Sequence, residues 1–323
     1  MSERGAAIER GLLDLIIARI PGLNPGIRMY LCEKFDRESD LTALKARDIE
    51  RICSARRGGR SAVRLFDNET ESWSMDRVVS RAEQDAALME RRGIRWVSAA
   101  ENAYPPLLRE IYDPPAVLFY RGALPPPGMP LFAVVGTRKP GPAALRWAYE
   151  TARDLSRAGV LVVSGLAVGI DAMAHRGSVD GAAAGYPAAA PTAAVLGSSV
   201  DEVYPASNRA LARRIVASGG ALLSEYPPGT RPAKWTFPAR NRIISGLCRG
   251  TVVVEAGEKS GALITADFTL EQNRDLFVAG GPADGQVFGS GCRRLAEDGA
   301  KVVHNSVDIL AELAVCCALR VQS

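Results

Sequence analysis

The most informative segment for the fold is LFAVVGTRKPG, residues 131–141. Its first five residues are apolar and end in two β-branched valines, which predicts a short strand buried on both faces. Gly136 follows this strand and would let the backbone approach a ligand closely, and a helical pattern over residues 143–157 follows the turn. A buried strand, a glycine turn and a helix in this order are typical of a parallel sheet covered by helices.

The same unit recurs between residues 131 and 305. Helical stretches lie at residues 143–157, 207–217 and 260–272, between most of the further apolar runs. Those runs are Val160–Val163, Ala193–Leu196, Ala221–Leu223, Thr251–Val254 and Asp275–Ala279. We therefore predict an α/β fold for residues 131–305, a Rossmann-like, doubly wound and mostly parallel sheet.

The segments on either side of residues 131–305 have different compositions and sequence patterns. Residues 1–92 have a helical pattern with a hairpin-like turn at 20–26, and they predict a small all-helical domain. Residues 93–130 are rich in proline and predict an ordered connector with short strands. Residues 306–323 predict a short C-terminal helix with no winged-helix domain after it. The Ala-, Gly- and Pro-rich segment 181–191 is expected to be a flexible insertion before the third strand.

Composition limits the classes of function. The chain has 323 residues, 47% hydrophobic and 24% charged, and a net charge of +4, so any nucleic-acid footprint must be local. Neither a membrane-spanning apolar run nor a signal peptide is evident, and a cytoplasmic protein with no membrane contact is expected. Six cysteines without CxxC spacing and two histidines predict reduced thiols and no metal site. We expect no cofactor, because neither GxGxxG nor a Walker loop is present.

The second informative stretch is KWTFPARNR, residues 234–242. It lies within residues 226–254, which contain no Asp or Glu and carry the cations Arg231, Lys234, Arg240, Arg242 and Arg249. Cations neutralise phosphates, and the interleaved aromatic rings can stack on unpaired bases. This segment therefore predicts a single-stranded nucleic-acid site.

Glycine-rich turns follow several of the predicted strands. They lie at residues 136–141, 164–171, 197–199 and 257–261. In an open α/β sheet, ligands bind beyond the carboxyl ends of the strands, where helix N-termini offer amides to anions. Four such turns, with Arg138 in the first, predict an anion site at this edge of the sheet.

Catalytic candidates are few, and we predict no catalytic residue. Asp171 and His175 share one helix face and could form an acid–base pair, but an Asp there more often caps the helix and a lone His is more often packed. Glu255 ends a strand without a nucleophile or second carboxylate nearby, and it is expected to orient Ser260 or an arginine. Cys248 is expected to be a small buried apolar residue.

Taken together, these residues resemble the DprA (Smf) family of bacterial DNA-processing proteins. The resemblance covers about two thirds of the chain. Its motifs, in order, are Tyr104-Pro105 with Leu107, Asp113-Pro114-Pro115, Gly136-Thr137-Arg138, Ser164–Asp171 with Ala174-His175, Ala194–Gly197 followed by Asp201, Tyr204-Pro205 and Asn208, Ser224–Gly229, Phe237–Ile244, and Glu255 with Ser260-Gly261 and Thr265-Ala266.

The resemblance implies an extended Rossmann domain, often preceded by a SAM-like helical domain, and a non-enzymatic role. Such a protein binds and protects single-stranded DNA, forms a homodimer and helps to load RecA recombinase during natural transformation. The implied DNA-binding residues of this chain are Gly136, Thr137, Arg138, Ser164, Gly165, Lys234, Phe237, Arg240, Asn241, Arg242, Ser260, Gly261 and Thr265.

The chain also departs from the family pattern. Cys292 stands where an asparagine is expected, and Gly280-Gly281-Pro282 stands where a Pro-Gly pair is expected, so the loop after the last strand could have another shape. Asn24 replaces the second glycine usual in a helix-hairpin-helix motif.

Two other classes of function remain open. The first is a nucleoside-monophosphate phosphoribohydrolase resembling the cytokinin-activating (LOG-like) enzymes, with Glu255 as its acid–base residue. Its Pro-Gly-Gly-x-Gly-Thr signature is absent from the sequence. The second is a structural adaptor that uses the N-terminal helices for protein contacts.

Overall fold

The computed structural model describes residues 3–44, 48–49, 51–52, 74–183, 192–281 and 286–320. The chain divides into two compact units. The smaller comprises residues 1–104, 113–119 and 225–229, and the larger comprises residues 105–112, 120–224 and 230–323.

The smaller unit is mainly helical over its described residues, as the sequence predicts. Its helices are α1 (Glu3–Arg19), α2 (Pro25–Lys34), α3 (Glu38–Thr42) and α4 (Met75–Arg92), followed by strand β1 (Arg95–Ser98). The Asn24 side chain accepts a hydrogen bond of 2.9 Å from the Ile27 amide and so caps α2. Asn24 thus begins a helix at the predicted hairpin, because an Asx side chain satisfies an amide that the first turn leaves free.

The larger unit alternates strands with helices. In chain order its elements are α5 (Pro106–Arg109), β2 (Val117–Gly122, whose first residues belong to the smaller unit), β3 (Leu131–Val135), α6 (Pro142–Arg157), β4 (Leu161–Ser164), α7 (Ile170–Ala183), β5 (Thr192–Val195), a 3₁₀ turn (Ala206–Asn208), α8 (Arg209–Ala217), β6 (Ala221–Ser224), α9 (Thr236–Leu247), β7 (Gly250–Val253), α10 (Gly261–Glu271), β8 (Asp275–Ala279), α11 (Ser290–Glu297), β9 (Lys301–Val303) and α12 (Ser306–Arg320).

The strands form a nine-stranded sheet in the order β1-β2-β6-β5-β4-β3-β7-β8-β9. The pairs β3–β4, β4–β5, β5–β6, β3–β7, β7–β8 and β8–β9 are all parallel. From β3 the chain builds the sheet to one side through β6, and it then returns to add β7 on the other side of β3. This confirms the predicted mostly parallel Rossmann-like fold. It also creates a switch point between β3 and β7, which is where open α/β sheets bind ligands.

The core lies under helix α6, against the central strands. Phe132 and Val134 of β3 and Val252 of β7 are fully buried there. Alanines on the inner face of α6, at positions 144, 148 and 152, are also fully buried and allow the helix to lie close to the sheet. Burying a large apolar side chain contributes about 1.5–3 kcal/mol, so these contacts fix the strands whose ends form the site.

One expectation about the chain before β5 is partly wrong. Residues 181–183 were expected to begin a flexible insertion, but they complete helix α7. Gly181 explains the difference, because a side chain there would come within 2.4 Å of the Arg153 carbonyl oxygen. This glycine therefore allows α7 and α6 to pack closely. The rest of the predicted insertion, residues 184–191, lies outside the described residues.

Candidate nucleic-acid interface

A cavity of about 650 Å³ opens at the switch point. Its walls come from the turns after β3, β4 and β7, from residues around the start of α9, and from the first turns of α10. Ten of the predicted DNA-binding residues line it: Gly136, Thr137, Arg138, Lys234, Phe237, Arg240, Asn241, Ser260, Gly261 and Thr265. The fold thus brings together residues that are up to 129 positions apart in the sequence.

Backbone hydrogen bonds connect three of the turns to each other. The Thr137 amide donates to the Glu255 carbonyl oxygen at 2.7 Å, and the Ile170 amide donates to the Thr137 carbonyl oxygen at 3.3 Å. Gly169 has a φ of 84°, and a side chain there would come within 2.4 Å of the same Thr137 oxygen. The turns after β3, β4 and β7 therefore form one fixed frame around the cavity.

Several amides of this frame bond to carboxylates of the protein. Asp171 Oδ2 accepts from the Gly165 amide at 3.2 Å and from the Ala167 amide at 3.3 Å. Glu255 Oε2 accepts from the Gly141 amide at 2.9 Å, where helix α6 begins. Glu255 was expected to orient Ser260 or an arginine, but this bond makes it a cap of α6 instead. Anion binding at these two turns therefore has to depend on side chains more than on the amides.

The cavity has three exposed cations on its wall. Arg138 and Lys139 lie in the turn after β3, and Lys234 lies two residues before helix α9. Asp171 is the one carboxylate among the described residues that line the cavity, and it is only 6% exposed. The solvent-facing wall is therefore strongly positive, as a phosphate site requires.

An aromatic pair lies beside Arg138. The rings of Phe237 and Tyr204 are 5.6 Å apart between centroids and tilted by 48°. The guanidinium carbon of Arg138 lies 5.7 Å from the centroid of the Phe237 ring, within the range of a cation–π contact. Phe237 is half-buried and Tyr204 is 48% exposed. Both rings line the cavity, so a base entering it meets aromatic surface next to positive charge.

Arg240 lies deeper than the other cations, with 5% of its surface exposed. One of its terminal nitrogens donates to the Gly165 carbonyl oxygen at 2.8 Å and to the Val195 carbonyl oxygen. Burial raises the pKa of Asp171, and the nearby Arg240 charge opposes that rise. Arg240 thus joins the ends of β4 and β5 to α9.

Asn241 continues this network. Its side-chain oxygen accepts from Arg240 Nε at 3.2 Å, and its side-chain amide donates to the Gly261 carbonyl oxygen at 3.2 Å. Asn241 therefore connects Arg240 to the start of helix α10. For both residues, a direct contact with DNA stays a prediction.

Three predicted residues do not line the main cavity. Ser164 is fully buried and donates to the Val134 carbonyl oxygen at 2.7 Å. Arg242 is 3% exposed and donates to the Ala239 carbonyl oxygen at 2.8 Å. Gly165 lines a smaller adjoining cavity of about 80 Å³, together with Arg138, Tyr204 and Phe237.

Nine residues that line the cavity were absent from the predicted set, and Lys139 and Tyr204 are the two of these that add a cation and an aromatic ring. Lys139 follows Arg138 in the quoted turn, and a second cation there was a usable signal. Tyr204 comes nine residues after β5, and only the folded chain brings it against Phe237.

The residues considered for catalysis are mostly withdrawn from the cavity. His175 is fully buried, its Nδ1 lies 2.7 Å from Thr192 Oγ1, and burial lowers its pKa to about 3. Burial raises the pKa of the Cys248 thiol well above its usual range. Among the described residues, no three His, Cys, Asp or Glu side chains lie close enough to hold a metal ion.

Cys292, one of the two departures from the family pattern, is buried. This residue lies in the first turn of α11, is fully buried, and its Sγ donates to the Val253 carbonyl oxygen at 3.6 Å. Burial raises the pKa of its thiol to about 12. Cys292 therefore packs as a neutral side chain under the end of β7. Pro282 of the other departure lies outside the described residues.

The fold and the cavity together define a Rossmann-like α/β protein with a cavity at its switch point that is lined by cations and aromatic rings. Comparison with known proteins identifies the family. The family model of DNA recombination-mediator protein A matches residues 95–314. The chain belongs to this family, as its resemblance to DprA (Smf) proteins predicts.

Curated relatives agree with this assignment. The DNA processing protein DprA of Bacillus subtilis is 41% identical over 229 residues, which cover 70% of this chain and 74% of the relative. DprA of Streptococcus pneumoniae is 40% identical over 216 residues, covering 67% of this chain and 73% of the relative. Protein Smf of Synechocystis is 41% identical over 230 residues, 69% of this chain, and the match spans only 55% of that relative's length.

Solved structures agree as well. The crystal structure of DprA from Streptococcus pneumoniae matches with a TM-score of 0.66 and 33% identity, covering 96% of both chains. DNA processing protein A from Helicobacter pylori, described for its single-stranded DNA binding mode, matches with a TM-score of 0.57 and 27% identity. That match covers 68% of this chain and 95% of the other. Over the described residues, no helix is both long and apolar enough to cross a membrane.

Proposed function

We propose that this protein binds single-stranded DNA in the cavity at the switch point. Arg138, Lys139 and Lys234 would contact phosphates, and Phe237 would stack on a base. The observation that carries the proposal is the joint position of these exposed cations and the aromatic pair on one cavity wall. A DNA processing protein of the same fold is described for its single-stranded DNA binding, which supports the same conclusion.

The chemistry of the cavity predicts how the binding behaves. Phosphate contacts release counterions, so the affinity should fall steeply with salt and depend weakly on base sequence. A duplex hides the faces of its bases, so the Phe237 ring can favour only unpaired strands. Single-stranded DNA should therefore bind much more tightly than the same sequence after annealing.

Membership of the family supports a proposal for the biological role. We propose a cytoplasmic recombination mediator that protects incoming single-stranded DNA and helps to load RecA during transformation, acting as a homodimer and without catalysis. The names of its relatives, for DNA processing and recombination mediation, support the general role. Addition of the protein should shorten the lag before RecA hydrolyses ATP on DNA that is already covered by single-strand-binding protein.

The LOG-like alternative has less support. Glu255, its acid–base residue, bonds to the Gly141 amide and does not line the cavity. Moreover, one nucleoside monophosphate does not need three exposed cations around it. Among the described residues that line this cavity, Asp171 is the one carboxylate, and it is buried. The cavity therefore offers no exposed carboxylate for acid–base chemistry.

Fluorescence anisotropy on one labelled oligonucleotide, single-stranded and then annealed, tests the DNA-binding proposal across a series of salt concentrations. Arg138→Ala should weaken binding, and it should reduce the salt slope by about 0.7, the value for one phosphate contact on a single strand. Arg293→Ala is the matched control, because Arg293 is exposed and does not line the cavity.

Equal binding of single and annealed strands, or an affinity that Arg138→Ala leaves unchanged, would contradict the proposal. Release of free base from AMP would then be the next activity to measure.

A further inference from the structure

Trp235 stands apart from the cavity residues. It is 66% exposed, and it does not line the cavity, although its neighbours Lys234, Phe237 and Pro238 do. Trp235 is the residue directly before helix α9, with helical backbone angles of −77° and −22°. The indole therefore lies at the rim, at the point where the chain enters the cavity wall.

Helix geometry defines this position further. Residues three and four apart lie on the same face of a helix, so Trp235 shares a face with Pro238, and Phe237 shares one with Arg240 and Asn241. Residues of both faces line the cavity, but only the face of Phe237 includes the buried Arg240. Trp235 and Phe237 are two residues apart and therefore point from nearly opposite sides of the turn, the first toward solvent and the second into the cavity.

The surroundings of Trp235 fit the backbone of a nucleic acid. Arg231 and Lys234 precede it, and both are exposed. The sequence from Tyr226 to Val254 contains no Asp or Glu, so no carboxylate of this segment would repel a phosphate beside the indole. A strand leaving the cavity past Lys234 would carry its next base over this surface.

We infer that Trp235 is a second base-stacking residue, which binds the nucleotide just outside the cavity while Phe237 binds one inside it. This inference rests on the proposed binding of single-stranded DNA and adds a specificity-determining residue to it. Stacking on an indole tolerates every base, because each base has a π face. The rim contact therefore adds affinity and single-strand selectivity without reading sequence.

Abasic scanning tests the inference. An oligonucleotide of about 10 nucleotides, within the usual site size, is made as a set in which one position at a time lacks its base. Wild-type protein should show two sensitive positions, each weakening binding by about tenfold, which corresponds to the stacking of one base. Trp235→Ala should remove the sensitivity at one of them and leave the other. Phe237→Ala should do the reverse.

Further variants separate stacking from a structural role. Trp235→Phe should restore part of the lost affinity, because a smaller aromatic ring can still stack. Tyr112→Ala is the matched control, since Tyr112 is fully exposed and does not line the cavity, and it should bind like wild type. Quenching of tryptophan fluorescence by the oligonucleotide should be strongly reduced in Trp235→Phe.

The outcomes separate a failure of the Trp235 inference from a failure of the proposed single-stranded DNA binding. If Trp235→Ala weakens intact and abasic strands by equal factors, the residue only supports the start of α9 and the inference is wrong. If wild type shows one sensitive position, while Arg138→Ala still loses affinity, the inference fails and the proposed function stands. If wild type does not bind single strands at all, the proposed function itself fails.

Discussion

Two arginines of the cavity carry the same guanidinium group in opposite environments. Arg138 is exposed beside the Phe237 ring, whereas Arg240 is 5% exposed and bonded to two carbonyl oxygens next to Asp171. Removing Arg240 would leave a buried carboxylate without its cation. We therefore expect Arg240→Ala to lower the free energy of unfolding by about 3–5 kcal/mol.

The matched variant is Arg138→Ala, which should change that free energy by no more than about 0.5 kcal/mol, since its side chain is exposed. Urea denaturation of both variants measures the difference. An Arg240→Ala protein as stable as wild type but unable to bind DNA would instead make Arg240 a phosphate ligand, as the family resemblance implies.

Phe237 is the aromatic ring inside the cavity that we expect to stack on a base. Phe237→Ala should cost about 1–3 kcal/mol of single-strand binding, the range for one stacked base. Anisotropy titrations with intact single strands measure it, and Phe237→Tyr serves as the variant that retains a ring. A truncation that leaves single-strand affinity unchanged would exclude Phe237 as a stacking residue.

The charge of a residue could be predicted from the sequence, but its burial could not. In the segment 226–254, Lys234, Arg240 and Arg242 look equivalent as cations. Only Lys234 is exposed, because the other two meet carbonyl oxygens that the ends of β4 and β5 and the α9 backbone supply. Such partners are set by tertiary contacts far along the chain, which no local pattern contains.

Among the helices and strands, those with regular sequence patterns were predicted well, and those that break the patterns were not. Strands β3 and β8 match the predicted bounds, because apolar runs ending in glycine or a polar turn leave little freedom. Helix α9 was not predicted, since a proline and two arginines hide its pattern. Pro238 occupies its first turn, where a missing amide hydrogen costs no hydrogen bond. This helix is what places Phe237 and Asn241 on the cavity wall.

Helix α6 is capped by a side chain from another element of the fold. Glu255 caps its start through the Gly141 amide, a role that a strand-end carboxylate can perform only after folding. Glu255→Ala should lower the free energy of unfolding by about 0.5–2 kcal/mol through loss of the cap. Glu255→Gln keeps an acceptor and should lose only the interaction of charge with the helix dipole, about 0.3–1 kcal/mol.

Both Glu255 variants should bind single-stranded DNA like wild type. Thermal or urea unfolding and anisotropy on the same preparations measure the two effects. Release of free base from AMP by wild type, abolished in Glu255→Gln, would overturn this assignment and establish the LOG-like reaction.

For the whole molecule, the buried His175 couples folding to pH. Burial, with a smaller effect of the Arg240 charge, lowers its pKa to about 3 in the folded protein, whereas an unfolded histidine titrates near 6.5. Below about pH 6.5 the unfolded chain therefore takes up a proton that the native protein does not bind. Stability must fall as the pH is lowered through this range, and the free energy of unfolding should drop by about 2 kcal/mol between pH 7 and pH 5 from this residue alone.

His175→Asn isolates this effect, because asparagine can still bond to Thr192 and does not titrate in this range. Urea denaturation at several pH values should show that the variant loses about 2 kcal/mol less than wild type over the same interval. Asp171 shifts the other way, since its raised pKa favours the native state at low pH, but it is present in both proteins and cancels in the comparison. Equal pH dependence of the two proteins would mean that the folded protein accepts a proton on His175 as readily as the unfolded chain.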